Sequence, residues 1–311
     1  MNRRSFLKNT LQTGVGLTVL GANAFNIPSS LFSAPNELFF KISLAEWSLH
    51  NALFKGEMTN LDFAQKSRSL NCEGLEYVNA FFKDKAKDIP YLNELNSRAN
   101  SEGQTNVLIM IDGEGNLADA NEKQRIQGVE NHFKWVDAAH HMNCHAIRVN
   151  LAGGKNKTDA IKASIDSLEK LSAYAAQANI NILVENHGGY SSDGKWMQSV
   201  FSQVKNKNCG TLPDFGNFCI ERGNNNTCKE GYDRYLGTSE LMPFAKAISA
   251  KTYAFDKNGQ ETTIDYSRML KMVKDSGYNG FIGIEFEGTG VSETEGIQLT
   301  RDLLINTGNK I

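Results

Sequence analysis

Beyond Pro35 the chain alternates short apolar runs with longer segments in which apolar residues recur every three or four positions. Apolar runs of strand length bounded by turn residues predict strands. They fall at Phe40–Trp47, Gly74–Asn79, Asn106–Ile111, Ala146–Leu151, Ile180–Asn186, Gly210–Asp214, Ile248–Phe255 and Phe281–Phe286. Helical period marks Asn121–Met142, Asp159–Ala178 and Asp265–Asp275 between them. In the second of these, Ile161, Ile165, Leu168, Leu171 and Tyr174 predict one apolar stripe. Gly153-Gly154, Gly188-Gly189 and Ser276-Gly277 supply turns. Eight strands alternating with helices over about 270 residues predict an α/β chain, a single (β/α)8 TIM barrel. A doubly wound open sheet uses the same alternation, but no Gly-x-Gly-x-x-Gly follows the first strand, so a dinucleotide fold gains no support. No linker or low-complexity stretch follows Pro35, which makes residues 36–311 one catalytic domain.

The first residues follow another pattern. Arg3-Arg4-Ser5-Phe6-Leu7-Lys8 precedes an uncharged stretch from Asn9 to about Ala24, rich in Gly and Thr. Spanning a bilayer takes about 20 apolar residues, and this run is shorter and interrupted, so no stable membrane span is expected. Ala22-Asn23-Ala24 has the small-x-small form of a cleavage site. Residues 1–24 therefore read as a cleavable twin-arginine signal peptide, placing the protein in the periplasm of a Gram-negative bacterium; an ordinary secretory signal or a short anchor is the alternative.

Removing residues 1–24 takes away three of the 33 basic residues and none of the 35 acidic ones, moving the formal charge from −2 to −5. No Lys/Arg-rich block occurs, and nucleic acid is excluded as a partner for want of a basic footprint. Five cysteines leave at least one free thiol in an oxidising compartment. Cys72, Cys144 and Cys209 each open a predicted strand, where a buried, inert thiol is expected. Cys219 and Cys228 lie in a loop-like region and are candidates for pairing. Nothing in the sequence settles the oligomeric state.

Chemistry in a barrel collects at the C-terminal ends of the strands. Those ends carry Trp47 and His50, Glu76 and Asn79, Asp112 and Glu114, Arg148 and Asn150, Glu185 and His187, Asp214 and Asn217, Lys251 and Tyr253, and Glu285 and Glu287. Glu185 follows Ile182-Leu183-Val184, and Glu285 follows Phe281-Ile282-Gly283-Ile284. A carboxylate in such a run is costly to bury unless it is paired, metal-bound or protonated. One such acid is as readily structural, paired for instance with Arg148. Three on one rim point to a site.

The runs Leu183-Val184-Glu185-Asn186-His187-Gly188-Gly189, Leu212-Pro213-Asp214-Phe215-Gly216-Asn217 and Ile284-Glu285-Phe286-Glu287-Gly288 resemble the xylose-isomerase-like TIM-barrel superfamily. Its sugar phosphate isomerase/epimerase members are the nearest in kind, in an exported branch. The resemblance spans roughly Phe39 to Leu304. It implies a divalent metal, Mn²⁺ or Mg²⁺, held by Glu185, Asp214 and Glu285, with Glu185 and Glu285 also exchanging protons with the substrate. The remaining ligand of the family, a His on the seventh strand, does not carry over, because Lys251 stands about where it belongs. Asn217 likewise stands where many relatives place a His. A protonated lysine has no lone pair to offer a metal. Either the three carboxylates with water, helped by His187, hold a hard cation, or the Lys251 ammonium replaces its charge.

These residues imply an isomerase or epimerase acting on a keto sugar or a sugar derivative. One glutamate removes a proton next to the carbonyl, and a cation holds the developing oxyanion. His187, Asn217, Lys251, Tyr253, Arg148 and Trp47 are the expected substrate-binding residues, and Trp196 and Tyr235 are further candidates for stacking on a sugar ring. A lyase or hydrolase of keto-glycosides shares the first step. A catalytically weak sugar-binding protein is the non-enzymatic alternative. A metal-dependent endonuclease needs several His ligands, whereas only six His are present, with His132, His140 and His141 on a predicted helix.

The export reading is tested by fractionating cells that carry Arg3→Lys/Arg4→Lys. The variant is expected to stay in the cytoplasm, and unchanged export would rule out the twin-arginine route.

Overall fold

Taken two residues at a time, the strands sort their side chains into an outward apolar set and an inward mixed one, which is how a closed parallel barrel reads. The computed structural model describes residues 38–311; the expected signal peptide, with Arg3 and Arg4, lies outside the described residues. The barrel strands are β1 (Lys41–Ala45), β2 (Gly74–Val78), β3 (Thr105–Met110), β4 (Ala146–Val149), β5 (Asn181–Glu185), β6 (Cys209–Leu212), β7 (Ile248–Thr252) and β8 (Phe281–Phe286). They pair in parallel in the order β6-β5-β4-β3-β2-β1-β8-β7. Parallel bridges Thr211–Ala245 and Asp214–Ser249 join β6 to β7 and close the ring. Each strand falls on its expected run, and all but β8 stop short at the C-terminal end, where the chain leaves the ladder to form the rim.

A helix follows every strand: α1 (Phe63–Ser69), α2 (Ile89–Ser101), α3 (Glu122–His141), α4 (Lys157–Gln177), α5 (Gly194–Phe201), α6 (Arg234–Leu241), α7 (Tyr266–Asp275) and α8 (Glu293–Gly308). The side chains of Asp88, Asn121, Asn156, Asp193, Asp233, Asp265 and Ser292 accept backbone N–H groups at the starts of α2 to α8. Each such cap contributes about 1 kcal/mol. Behind α1, α3 and α4 the chain turns through Asn71, Asn143 and Asn179, with φ of 58°, 58° and 56°. Asparagine tolerates this left-handed conformation, which ends a helix and redirects the chain. The β6–α6 connection carries a hairpin of Cys219–Arg222 and Cys228–Gly231, and Cys219 and Cys228 are joined by a disulfide with Cα atoms 5.6 Å apart. Cys72 and Cys144 are buried as expected, whereas Cys209 is only partly so. No helix among the described residues is long and apolar enough to cross a membrane.

The stripe expected on α4 is displaced. Its buried face is Ala160, Ala163, Ser164, Ser167, Leu168, Leu171, Ser172 and Ala175, while Ile161, Ile165 and Tyr174 are half-buried. Small residues let the helix lie close on the strands, and the bulky ones pack sideways. Tyr174 stacks on Phe133 of α3 at 3.9 Å between ring centres and donates a hydrogen bond to Asp137.

Outward-facing Ile42, Leu44, Leu75, Tyr77, Ile109, Ile147, Ile182, Val184, Ile248, Ile282 and Ile284 form the main core under the helices. Inside the barrel, Ala45, Val78, Leu108, Met110, Ala146, Leu183 and Leu212 form a smaller apolar cluster. The inward positions also hold Ser43, Glu76, Arg148, Glu185, Ser249, Lys251 and Glu285, all buried. Glu76 accepts a 2.5 Å hydrogen bond from Ser43. It fits because β8 carries glycine opposite it: a Cβ on Gly283 would sit 2.4 Å from Glu76 Oε1.

Burial raises the Glu76 carboxyl from its ordinary 4.5 to about 8; the Ser43 hydrogen bond opposes this, the Glu285 and Glu185 carboxylates add to it, and Arg148 opposes it. Between those values the folded chain keeps a proton that the unfolded chain releases, so stability falls as pH rises from about 4.5 to about 8. Glu46, buried at the end of β1 and also raised to about 8, acts in the same direction. Glu76→Gln is expected to flatten part of this slope and to stabilise the protein at pH 8, measured by urea unfolding across the range. An unchanged slope would mean that Glu76 is already ionised at neutral pH.

Candidate active site

The inward positions of β4 to β8 bring two cations and several carboxyl groups together at the C-terminal end of the barrel. Lys251 and Glu285 are register partners on neighbouring strands, which places the Lys251 Nζ 2.7 Å from Glu285 Oε1. The same ammonium donates to Glu287 Oε2 at 2.8 Å and lies 3.8 Å from Asp214 Oδ2. On the other side, Arg148 Nε lies 2.8 Å from Glu185 Oε2, close as a charge although its N–H is not aimed at that oxygen. Arg148 Nη1 also donates to Asp112 at 2.8 Å. One oxygen each of Glu185, Asp214 and Glu285 lies within 4.8 Å of the others.

Hydrogen bonds hold these acids in place. Asn217 donates to Glu185 Oε1 at 3.0 Å, and the backbone N–H groups of Gly216 and Asn217 both donate to Asp214 Oδ1 at 2.8 Å. Asn186 clasps the Asp214 backbone, donating to its carbonyl at 2.9 Å and accepting from its N–H at 2.8 Å. Ser249 Oγ is 2.7 Å from Asp214 Oδ2 and 2.9 Å from Glu285 Oε2. A hydroxyl has one proton to give, so both contacts are hydrogen bonds only when one of the two carboxyls is protonated. Gly216 makes room for this packing, since a Cβ there would sit 2.6 Å from both the Lys251 side chain and the Tyr253 hydroxyl.

Six carboxyl groups (Glu76, Asp112, Glu185, Asp214, Glu285 and Glu287) thus face two cations. Burial opposes the charge on Lys251, but Glu285, Asp214 and Glu287 together outweigh it and keep the ammonium protonated well above its usual range. Arg148 is held charged in the same way by Asp112 and Glu185. Burial raises Glu185 to about 7 against the pull of Arg148, and raises Asp214 to about 7 against that of Lys251. Burial also acts on Asp112 and Glu287, yet their cation partners win and hold both below the usual carboxylate range. His187 is pushed down by burial and then by Arg148, which keeps the imidazole neutral at pH 7.

A cavity of about 400 Å³ opens over the cluster, lined by Trp47, Asp112, Arg148, His187, Glu285 and Glu287 among others. The Trp47 indole N–H donates to Glu287. Of the other candidates for stacking, neither lines this cavity. Trp196 is buried with its N–H on the Lys157 carbonyl, and Tyr235 lies under the Arg268 guanidinium and accepts from the Asp265 N–H. Tyr235 serves helix packing, its face covered by the Arg268 guanidinium, whereas Trp196 lines a separate cavity of about 330 Å³ that also reaches His187. Glu114 pairs with Lys134 and Trp135, away from the cluster. Ser249, Asn186 and Ser43 are the site residues that the apolar runs concealed.

Residues 64–306 match the family described as xylose isomerase-like TIM barrel. A 58-residue stretch is 34% identical to the 3'-dehydrocarminate deglycosidase alpha subunit of a Microbacterium species, covering 19% of this chain and 17% of that relative. The chain thus matches under a fifth of that relative's length. Among solved structures, 3-keto-D-glucoside 4-epimerase from E. coli aligns with a TM-score of 0.61 at 13% identity, over 85% of this chain and 98% of that one. A xylose isomerase-like TIM barrel protein from Mycobacterium smegmatis, solved in complex with magnesium, aligns with a TM-score of 0.64 at 13% identity, over 87% and 97%. At such identities the likeness is one of fold.

The donor set fits a divalent cation. Three carboxylate oxygens within 4.8 Å of one another can share one ion, and acids raised to about 7 can exchange their protons for it. Lys251 competes for the same oxygens. Wild-type protein is therefore expected to bind Mn²⁺ weakly, and Lys251→His, which exchanges a competing cation for a ligand, to bind it at least about tenfold more tightly, on the scale of ligand-shell effects. Calorimetric titration of both proteins decides this. Tight binding by the wild type with no gain in the variant would show that Lys251 does not stand in for a metal ligand.

Proposed function

The chain belongs to the xylose isomerase-like TIM-barrel family, and from that premise we propose that it is an exported, periplasmic sugar isomerase or epimerase that removes a proton next to the carbonyl of a keto sugar. The observation that supports this reading best is the buried triad Glu185, Asp214 and Glu285, with Lys251 Nζ 2.7 Å from Glu285 and 3.8 Å from Asp214. Burial lifts Glu185 and Asp214 to about 7, which suits proton transfer near neutral pH, as enolisation of a ketone requires.

In this reading the Glu185 carboxylate takes the proton from the carbon beside the carbonyl. The C–H electrons pass to the carbonyl oxygen as an enediolate, whose charge the Lys251 ammonium stabilises. Glu285, which enters the step protonated, gives its proton to the other face of that carbon, so that Glu185 ends as the acid and Glu285 as the carboxylate. Arg148 and Asp112 anchor sugar hydroxyls, and neutral His187 both donates and accepts hydrogen bonds. Asn217 keeps Glu185 oriented, while Tyr253 and Trp47 flank the ring. A bound Mn²⁺ or Mg²⁺ would supply Lewis-acid polarisation of the substrate oxygens, held by Glu185, Asp214 and Glu285.

A second reading draws on the partial match to a deglycosidase subunit. The same enediolate can expel a substituent from the adjacent carbon, the leaving oxygen gaining a proton as it departs, which makes the enzyme a lyase of keto-glycosides.

Glu185→Gln and Glu285→Gln keep the shape of each side chain and remove its proton exchange. Each is expected to lower turnover of 3-keto-glucose and its glycosides, and the washout of deuterium from the carbon beside the carbonyl, by about 10²–10⁴-fold. Full turnover in both variants on a substrate that the wild type converts would end the proposal.

A further inference from the structure

The wall of the cavity beside β1 has a character that the acid cluster does not explain. Phe54, at the end of the short helix His50–Phe54, is 64% exposed, the most open of three exposed large apolar side chains among the described residues. It lines the same cavity as Trp47, Glu285 and Glu287. Its ring centre lies 5.2 Å from that of Phe81, just beyond β2, and 6.0 Å edge-on from that of Trp47; Trp47 and Phe81 are 6.1 Å apart. Three aromatic rings thus form a continuous lip on the rim.

The lip is linked to the charged cluster through a chain of contacts. His50 stacks on the Trp47 ring at 4.9 Å and 15°, and its Nδ1 is 2.7 Å from the Trp47 carbonyl. The indole N–H is held by Glu287, which is held in turn by Lys251. One end of the cavity is therefore aromatic, and the other is lined by carboxylates and Arg148. A free monosaccharide has only the C–H face of its ring to offer an aromatic side chain, and with that face on Trp47 it would leave Phe54, 6.0 Å further out, in water. A ligand that fits both ends carries a sugar on one side and a flat apolar group on the other, because exposed aromatic clusters beside a pocket mark recognition of apolar surface.

We propose that Trp47, Phe54 and Phe81 form a subsite for the aromatic aglycone of a glycoside, so that this protein acts on keto sugars that still bear an aryl substituent. This rests on the sugar-processing reading above, and it adds the substrate class: aryl glycosides in preference to free sugars. Phe54 acts here as a specificity-determining contact, with the acid cluster handling the sugar.

Phenyl and methyl glucosides, each as both anomers, are non-reacting probes that differ only in the aglycone. Calorimetric titration of the full chain is expected to show the phenyl compound binding about 2- to 12-fold more tightly than the methyl one, the range of an aromatic pair beyond simple burial. Phe54→Ala, checked for intact fold by circular dichroism, is expected to bring that ratio close to one, and Phe54→Trp to keep it. Equal binding of the two probes by the wild type, or a phenyl preference that survives Phe54→Ala, overturns the subsite. Turnover of the 3-keto derivatives is measured alongside. If keto-glucosides are not converted while the phenyl preference still depends on Phe54, the catalytic reading falls and the subsite stands. If they are converted and the preference ignores Phe54, only the subsite falls.

Discussion

Two buried cations set the terms on which this barrel can exist. Lys251 and Arg148 sit at inward positions of β7 and β4, each almost wholly buried, and taking an ion out of water costs several kcal/mol even after relaxation. The carboxylates around them return that energy only because the register is right: Glu285 stands beside Lys251, and Glu185 stands within 2.8 Å of Arg148. Removing either cation would leave several acids facing one another in a poorly solvated space. The neighbouring choices of small residues follow from this. Gly283 yields its side-chain space to Glu76, Gly216 yields its own to Lys251 and Tyr253, and the small Ser249 hydroxyl sits between two carboxyls, one of which must carry a proton for both contacts to be hydrogen bonds.

Much of this was legible beforehand. The eight apolar runs located the strands, and the polar residues that interrupt them located the rim. Glu185, Asp214, Glu285, Lys251, Arg148, His187 and Trp47 were all visible as strand-end residues, and the structure brings them around one cavity or the cluster beneath it. Lys251 stood out because it replaces a residue of a different kind. Ser43 and Ser249 stayed hidden because a serine hardly disturbs an apolar run, and Asn186 because it sits beside a more conspicuous glutamate. Gly283 looked like mere backbone until the carboxyl opposite it was placed.

The helices were harder to read. On α4 the bulky residues suggested the buried face, yet close packing on the sheet favours the small ones, and Ile161, Ile165 and Tyr174 were moved to the flank. Aromatic residues posed the same difficulty. Trp47, Trp196 and Tyr235 are equal candidates in the sequence, and only their contacts show that Trp47 meets the acid cluster while Trp196 and Tyr235 lie away from it. Phe54 gives no signal of its own, since nothing in its neighbourhood along the chain says that it is open to water.

The two ends of the barrel are built to different rules. Behind α1, α3 and α4, a single left-handed asparagine turns the helix back towards the next strand within a few residues. On the opposite end the connections are longer, and the one after β6 carries a whole disulfide-bonded hairpin. Insertions and replacements are therefore tolerated unequally. A lengthened joint at the asparagine end would dislodge a strand, whereas a lengthened rim loop would merely reshape what enters the cavity. Lineages built on this frame can exchange substrates by trading rim loops, with the folding of the barrel inherited intact.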